Sequence, residues 1–267
     1  MTGPRPSRSA FWLEVRRSIR GTLGRFLAVM GIAALGCGFF AGLQMCGPDM
    51  RIAADRLYDG AHLWDLRVVS TLGLSQDDVA SIAATPGVEA AMPSRTVDAM
   101  AEMGSERVAV RISQLDVAAA KASTQVCDGT TVESGDPSYL NRPLLRSGRW
   151  PQESDECVIC ADVTQPTVEL GGTVTVLFGT EALDQELDQR TFTVVGLVTS
   201  ADYPYTGSFG STNMGSGIID QYLYVPEEAF KADSPYTEAY LTIEGAADEE
   251  SESDAYFDVV GQVGDAL

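Results

Sequence analysis

The chain has 267 residues, 45% of them hydrophobic and 21% charged, which is the composition of a folded chain and not of a disordered one. Its 18 Lys and Arg stand against 38 Asp and Glu, a formal charge of −20 that repels phosphate backbones and argues against nucleic acid as a partner. The single histidine, His62, leaves little material for a histidine-rich metal site or a His-based catalytic relay, so most soluble-enzyme readings weaken.

The charge is unevenly placed. In residues 1–25, Arg5, Arg8, Arg16, Arg17, Arg20 and Arg25 face one acid, Glu14, and Phe26 to Pro48 then runs without any charge. Its strongest part, FLAVMGIAALGCGFFAGL from Phe26 to Leu43, reaches ~27 Å as a helix, close to the hydrocarbon thickness of a bilayer. A cleaved signal peptide has a shorter apolar region and a shorter head. A lipoprotein signal would have Leu where Ala34 precedes Cys37 by three positions. A core helix of a soluble protein leaves the charge asymmetry unexplained. Phe26–Pro48 therefore reads as an uncleaved transmembrane helix, with the N-terminus cytoplasmic and everything after about residue 48 extracytoplasmic.

Within the head, Phe11, Trp12, Val15, Ile19, Leu23 and Phe26 fall on one helical arc, while Arg16, Arg17 and Arg20 point elsewhere. Two readings stand side by side. Residues 1–25 form either an amphipathic helix on the inner membrane surface, with Trp12 at headgroup depth and the arginines toward anionic lipid, or a plain basic topogenic flank. Inside the span, Ala34, Gly38 and Gly42 recur every four residues, a small face that admits a neighbouring helix or reflects the ordinary tolerance of membrane helices for glycine.

Beyond the span, Arg51–Gly60 continues as helix and Trp64–Ser70 reads as a strand. Ser75–Ala84 reads as a short helix capped by Ser75, with Asp77 and Asp78 in its first turn and a stop at Pro86-Gly87. Strands follow at 88–91, 95–100 and 107–112, a small α+β layer. From about residue 113 the pattern changes to short strands, clearest at 157–161, 173–178, 191–198 and 221–225. Strand character returns at 236–244, and a last helix over 255–267 places Phe257, Val260 and Val263 on one face. The economical reading is a split α+β domain, 49–112 with 233–267, in which 62–112 and 233–267 form one unit around a β-rich insertion at 113–232.

Chemistry is sparse. No P-loop occurs, and Lys121 and Lys231, the only lysines, do not follow glycine. The glycine-rich Gly207–Gly217 lies between strands and reads as a loop in place of a phosphate cradle. His62 reads as structural or exposed. In the strand CVIC, Cys157 and Cys160 point to opposite faces, which disfavours joint chelation, and a disulfide from Cys127 to either one stays open beside free buried thiols. The acidic run Asp248–Asp254 lacks the spacing of a calcium loop. No catalytic, cofactor or metal residue is assigned.

Several stretches taken together resemble FtsX-like ABC transporter permeases with a MacB-type extracytoplasmic domain. They are RRSIRGTLGRFLAVMGIAALGCGFFAG from Arg16, Pro48-Asp49-Met50, WDLRVVSTLG from Trp64, PGVEA from Pro86, GRWP from Gly148 with Glu156, LGGTVTV from Leu170, FTVVGLV from Phe192 and YVPEEAF from Tyr224. The resemblance implies a permease whose split α+β part is porter-like and whose β-rich insertion is sabre-like. It further implies ATP hydrolysis by a separate cytoplasmic ABC ATPase subunit, mechanical coupling through Phe11–Leu43, and partners in further permease helices or a second permease copy. It leads us to expect the N-terminal portion of a longer permease, exporting or extracting a substrate that no residue here names. The competing class is a single-span, membrane-anchored extracellular sensor or ligand-binding protein. A third, an anchored enzyme with a carboxylate-only site, has no constellation behind it.

Overall fold

A computed structural model describes residues 8–123, 136–161, 168–179, 186–203, 209–251 and 253–267. Cys127 lies outside them. The chain divides into two units, Met1–Ala53 and Ala54–Leu267.

The first unit is helical. Helix α1, Arg8–Ala61, is a 54-residue helix whose assignment carries no break between the basic head and the uncharged stretch, and its last turns belong to the second unit. Gly21 and Gly24 do not interrupt it, consistent with a cost of only about 1 kcal/mol for a glycine in a helix. From Leu23 to Gly47 every side chain is exposed, Ile32 at 73% and Leu35 at 78%.

The second unit contains two sheets. The smaller is antiparallel, in the order β1 (Leu66–Leu74), β10 (Tyr236–Ile243), β2 (Val88–Ser94). Helix α2 (Gln76–Ala83) covers one face of it together with the last helix, α4 (Asp254–Gly264). Helix α2 begins as the sequence indicates: the Ser75 hydroxyl accepts from the Asp78 N–H at 3.2 Å, and the Asp78 carboxylate accepts from the Ser75 N–H at 2.8 Å. Ser253 caps α4 by accepting from the Tyr256 N–H. The buried stripe of α4 is not the one expected. Val260 and Val263 face the sheet, but Phe257 is 57% exposed and Tyr256 packs in its place. Residues 256, 260 and 263 follow the i, i+4, i+7 spacing of a single helical stripe, from which 257 is rotated away.

The larger sheet runs β5 (Leu144–Gly148), β8 (Thr191–Thr199), β6 (Glu156–Cys160), β9 (Gln221–Pro226), β4 (Glu106–Leu115), β3 (Thr96–Met103), β7 (Thr173–Gly179), and β7 pairs again with β8. That last pairing closes six strands into a barrel, with β5 added beside the second half of β8. Closure removes most open strand edges. Alternate residues fill the interior, among them Ala99, Ile112, Ile159, Phe192 and Leu223. A second cluster on the outside of β6 and β9, built on Val158, Tyr222 and Tyr224, is covered by helix α3 (Val117–Ala122), Tyr139 and Phe209. Both faces of β6 and β9 are thus buried, which is why CVIC and YLYV read as continuous apolar runs. Cys157 belongs to the inner cluster and Cys160 to the outer one, so they cannot ligate together.

The expected boundary at residue 112 is corrected by this topology. The chain leaves the small sheet at Ser94, and β3 and β4, joined through Gly104 at φ +64, are barrel strands. The alternation of β3 buries Val97, Ala99, Ala101 and Met103 in the barrel, β3 pairs with β7, and β4 pairs in parallel with β9. Residues 62–94 and 236–267 make the α+β layer, so the β-rich part begins at Thr96.

Gly148 and Gly196 face each other across β5 and β8. A Cβ on Gly148, whose φ is +81, would collide with the backbone of Val195 and Gly196, and one on Gly196 would lie 2.5 Å from the Arg149 carbonyl oxygen. Two of the stretches carrying the family resemblance, GRWP and FTVVGLV, therefore meet at a contact that admits no side chain.

Candidate functional site

The residues singled out in the sequence for topology and coupling all lie on α1. Trp12, Arg16, Arg17 and Arg25 are exposed, and Arg20 shares the helix although its side chain lies outside the described atoms. Ala34, Gly38 and Gly42 share one helical face, and a Cβ on either glycine would meet nothing within 4 Å. Exposed Phe26, Leu27, Val29, Ile32, Leu35 and Phe39 surround that face. A contiguous apolar surface of this kind is sustained by lipid or by partner helices, since water contact costs about 25 cal/mol per Å² of apolar area. Among the described residues, α1 is the one helix long and apolar enough to cross a membrane.

The second unit holds a site that the sequence reading missed. The small sheet connects to the barrel at Arg95, between β2 and β3, and through residues 227–235, between β9 and β10. Arg95 ties the two crossings together: its Nε donates to the Ser234 carbonyl at 3.0 Å, and its Nη1 donates to Gln114 Oε1 at 2.9 Å and Glu227 Oε1 at 3.2 Å. The guanidinium lies over the Tyr236 ring, 4.4 Å from its centroid. Behind it Glu238, 4% exposed, accepts from the Thr96 and Tyr240 hydroxyls and sits 3.6 Å from Arg67 Nε. The Asp202 carboxylate accepts from the Trp64 indole N–H at 2.7 Å, and burial pushes its pKa up. Two carboxylates are therefore held between the sheets by named donors, a polar seam in which any shift of one sheet against the other breaks hydrogen bonds. The signal in the sequence was slight: Glu238 is a lone acid in the apolar run YTEAYLTI.

The end of α1 is fastened to this region. The carbonyls of Ala61 and His62 accept from the N–H groups of Arg142 and Asn141 at 2.7 and 2.9 Å. His62 adopts φ +49, and its Nδ1 lies 3.2 Å from Arg142 Nη2 and 3.3 Å from the Tyr139 carbonyl oxygen. Burial, followed by the Arg142 charge, pushes the imidazole pKa down, which favours the neutral ring.

Among the described residues, no group of three or more His, Cys, Asp or Glu is placed to hold a metal ion. The described part of the glycine-rich loop spends its backbone groups internally. Thr212 N–H bonds the Gly217 carbonyl, Gly217 N–H bonds that of Met214, and Ile219 N–H bonds that of Gly210, which does not make a phosphate cradle.

No curated protein matches this chain. The solved structures similar to it include two at 12% identity. One is the extracellular domain of the noncanonic ABC-type transporter YknZ from Gram-positive bacteria, with a TM-score of 0.36, 72% of this chain covered and 80% of that one. The other is the periplasmic region of MacB from Actinobacillus actinomycetemcomitans, with a TM-score of 0.33, 73% of this chain covered and 76% of that one. The family model of the MacB-like periplasmic core domain matches residues 26–259, from the start of the uncharged stretch of α1 to the middle of α4, and the chain belongs to that family.

Proposed function

We propose that the chain is a membrane component of an ABC-type transporter. Residues 26–48 cross the bilayer, Trp12 and Arg16, Arg17, Arg20 and Arg25 stay on the cytoplasmic side, and the two-sheet domain works outside. The supporting observation is that one family match takes in both the exposed apolar helix and the domain after it. ATP is bound and hydrolysed by a separate cytoplasmic ABC ATPase subunit, and this chain supplies no catalysis of its own. Helices of the rest of a permease, or of a second copy, cover the face of Ala34, Gly38 and Gly42. Because α1 runs into residues bonded to the seam, movement of the helix reaches the junction of the sheets as strain on the Arg95 and Glu238 contacts, which suits a device that transmits force.

Topology tests the membrane part of this reading. Cysteines replacing Arg16 or Arg17 should resist an impermeant thiol reagent in intact cells, whereas one replacing exposed Leu72 should react. Labelling at positions 16 and 17 with none at 72 would invert the topology and remove the proposal.

A further inference from the structure

A cavity of about 470 Å³ lies between the last two turns of α1, the start of β1, β10 and α4. Its walls carry Asp55, Asp59, Asp65, Glu89 and Glu249 against one basic residue, the neutral His62. Asp65 is satisfied, accepting from the Ile243 N–H at 2.8 Å and the Tyr256 hydroxyl at 2.9 Å. Two acceptors on the same walls are not. Asp55 Oδ1 and Thr242 Oγ1 are buried without a hydrogen-bond partner, and Thr242 is 6% exposed. Buried polar atoms left unpaired are rare and costly in folded proteins, and each calls for an explanation. Asp55 and Asp59 are one helical turn apart, so like charges add to the deficit. The Asp59 pKa is correspondingly pushed up, by burial and then by Asp55.

What the cavity lacks is a cation that also donates hydrogen bonds. A directly ligated metal does not fit, because the described residues place no three ligands together. A quaternary ammonium brings charge but no N–H. A primary ammonium brings both, with three donors on one compact centre. Rotation of a carboxylate about its last torsion is soft, so Asp55 can present either oxygen. We propose that this cavity binds a primary organic ammonium group, hydrogen-bonded by Asp55 and Thr242 and balanced by Asp59. Such a group is carried by the headgroup of an aminophospholipid or by a free alkylamine. The lipid source rests on the membrane reading, in which Asp55 follows the uncharged stretch by seven residues; the cavity itself does not.

The test uses the full chain with Trp12 and Trp150 replaced by Phe, which leaves Trp64, a wall of the cavity, as the only reporter. In phosphatidylcholine nanodiscs, ethanolamine should change the Trp64 emission saturably, while choline should not. Asp55→Asn should weaken the response by about tenfold or more, the loss expected for a hydrogen bond to charge. Thr242→Ser, which keeps the hydroxyl, should preserve it and so guards against misfolding as the cause. In phosphatidylethanolamine nanodiscs, a response to free ethanolamine that vanishes identifies the lipid headgroup as occupant, and one that persists identifies the free amine. Equal responses to choline and ethanolamine, no response to either, or indifference to Asp55→Asn would overturn the proposal. Failure to enter nanodiscs would count against the membrane reading alone, and the same titration in nonionic detergent would then decide the cavity.

Discussion

Arg149 and Glu156 show how much one pair can carry and how much of it was visible. The Arg149 guanidinium holds both oxygens of Glu156, one bond at 2.6 Å, and the Gln152 N–H adds another at 2.8 Å. Hydrogen bonding by Arg149 holds the Glu156 carboxyl down to about 2. A depressed carboxylate contributes stability that is fully present above its unfolded pKa, about 4.3, and is lost as pH falls through the folded value. We therefore expect Glu156→Gln to lower the melting temperature of the full chain in detergent by about 2–4 °C at pH 7. The gap to the unchanged protein should close between pH 5 and pH 2; a gap independent of pH would mean that the loss is not electrostatic. The sequence marks GRWP and the following Glu156 only as a stretch that carries the family resemblance, and the structure shows that the two residues pair. Arg95, Glu238 and Asp202 were not legible, because their partners stand far off in the chain, as with Trp64 and Asp202. Composition and periodicity carry no information about such distant pairing. His62, which the sequence setting reads as structural or exposed, is half-buried after the end of α1, and Phe257 was read one position away from the residue that packs.

Elements were more legible than residues. The length and apolarity of α1, the caps of α2, and most strands of both sheets follow from periods of 3.6 and 2 and from glycine and proline punctuation. Strands β5 and the short helix α3 escaped, being brief and weakly patterned. Partner choice escaped as well. The alternation of β3 is equally consistent with either sheet, and its pairing with β7, together with that of β4 with β9, places it in the barrel. On α1, the question is whether the face of Ala34, Gly38 and Gly42 is used. If other helices pack there, Gly38→Leu and Gly42→Leu should reduce disulfide crosslinking between membrane helices severalfold, while Gly38→Ala should leave most of it. Undiminished crosslinking in both leucine variants would show that this face meets only lipid.

At the scale of the molecule, the second unit is a helix-covered sheet split between residues 62–94 and 236–267, with a closed barrel inserted between its parts and a polar seam joining the two. The apolar clusters lie within the barrel, on its outer wall and under the small sheet. The seam between the sheets is hydrogen-bonded and charged. Well-packed apolar clusters resist deformation, whereas a seam of directional bonds has discrete alternatives, so the seam is where the second unit would yield under load. If the domain is driven from the membrane by a partner, as proposed, this division of labour places the yielding at the seam.

We propose that this chain works with an ABC ATPase. The most direct measurement is purification of the full chain from native membranes in mild detergent, with the co-purifying proteins identified and their amounts compared. We expect a P-loop ATPase in fixed proportion, its ATP hydrolysis rising when the chain is present in nanodiscs. Recovery of the chain without any such ATPase, alongside normal folding and membrane insertion, would contradict the account and favour an anchored sensor or ligand-binding protein.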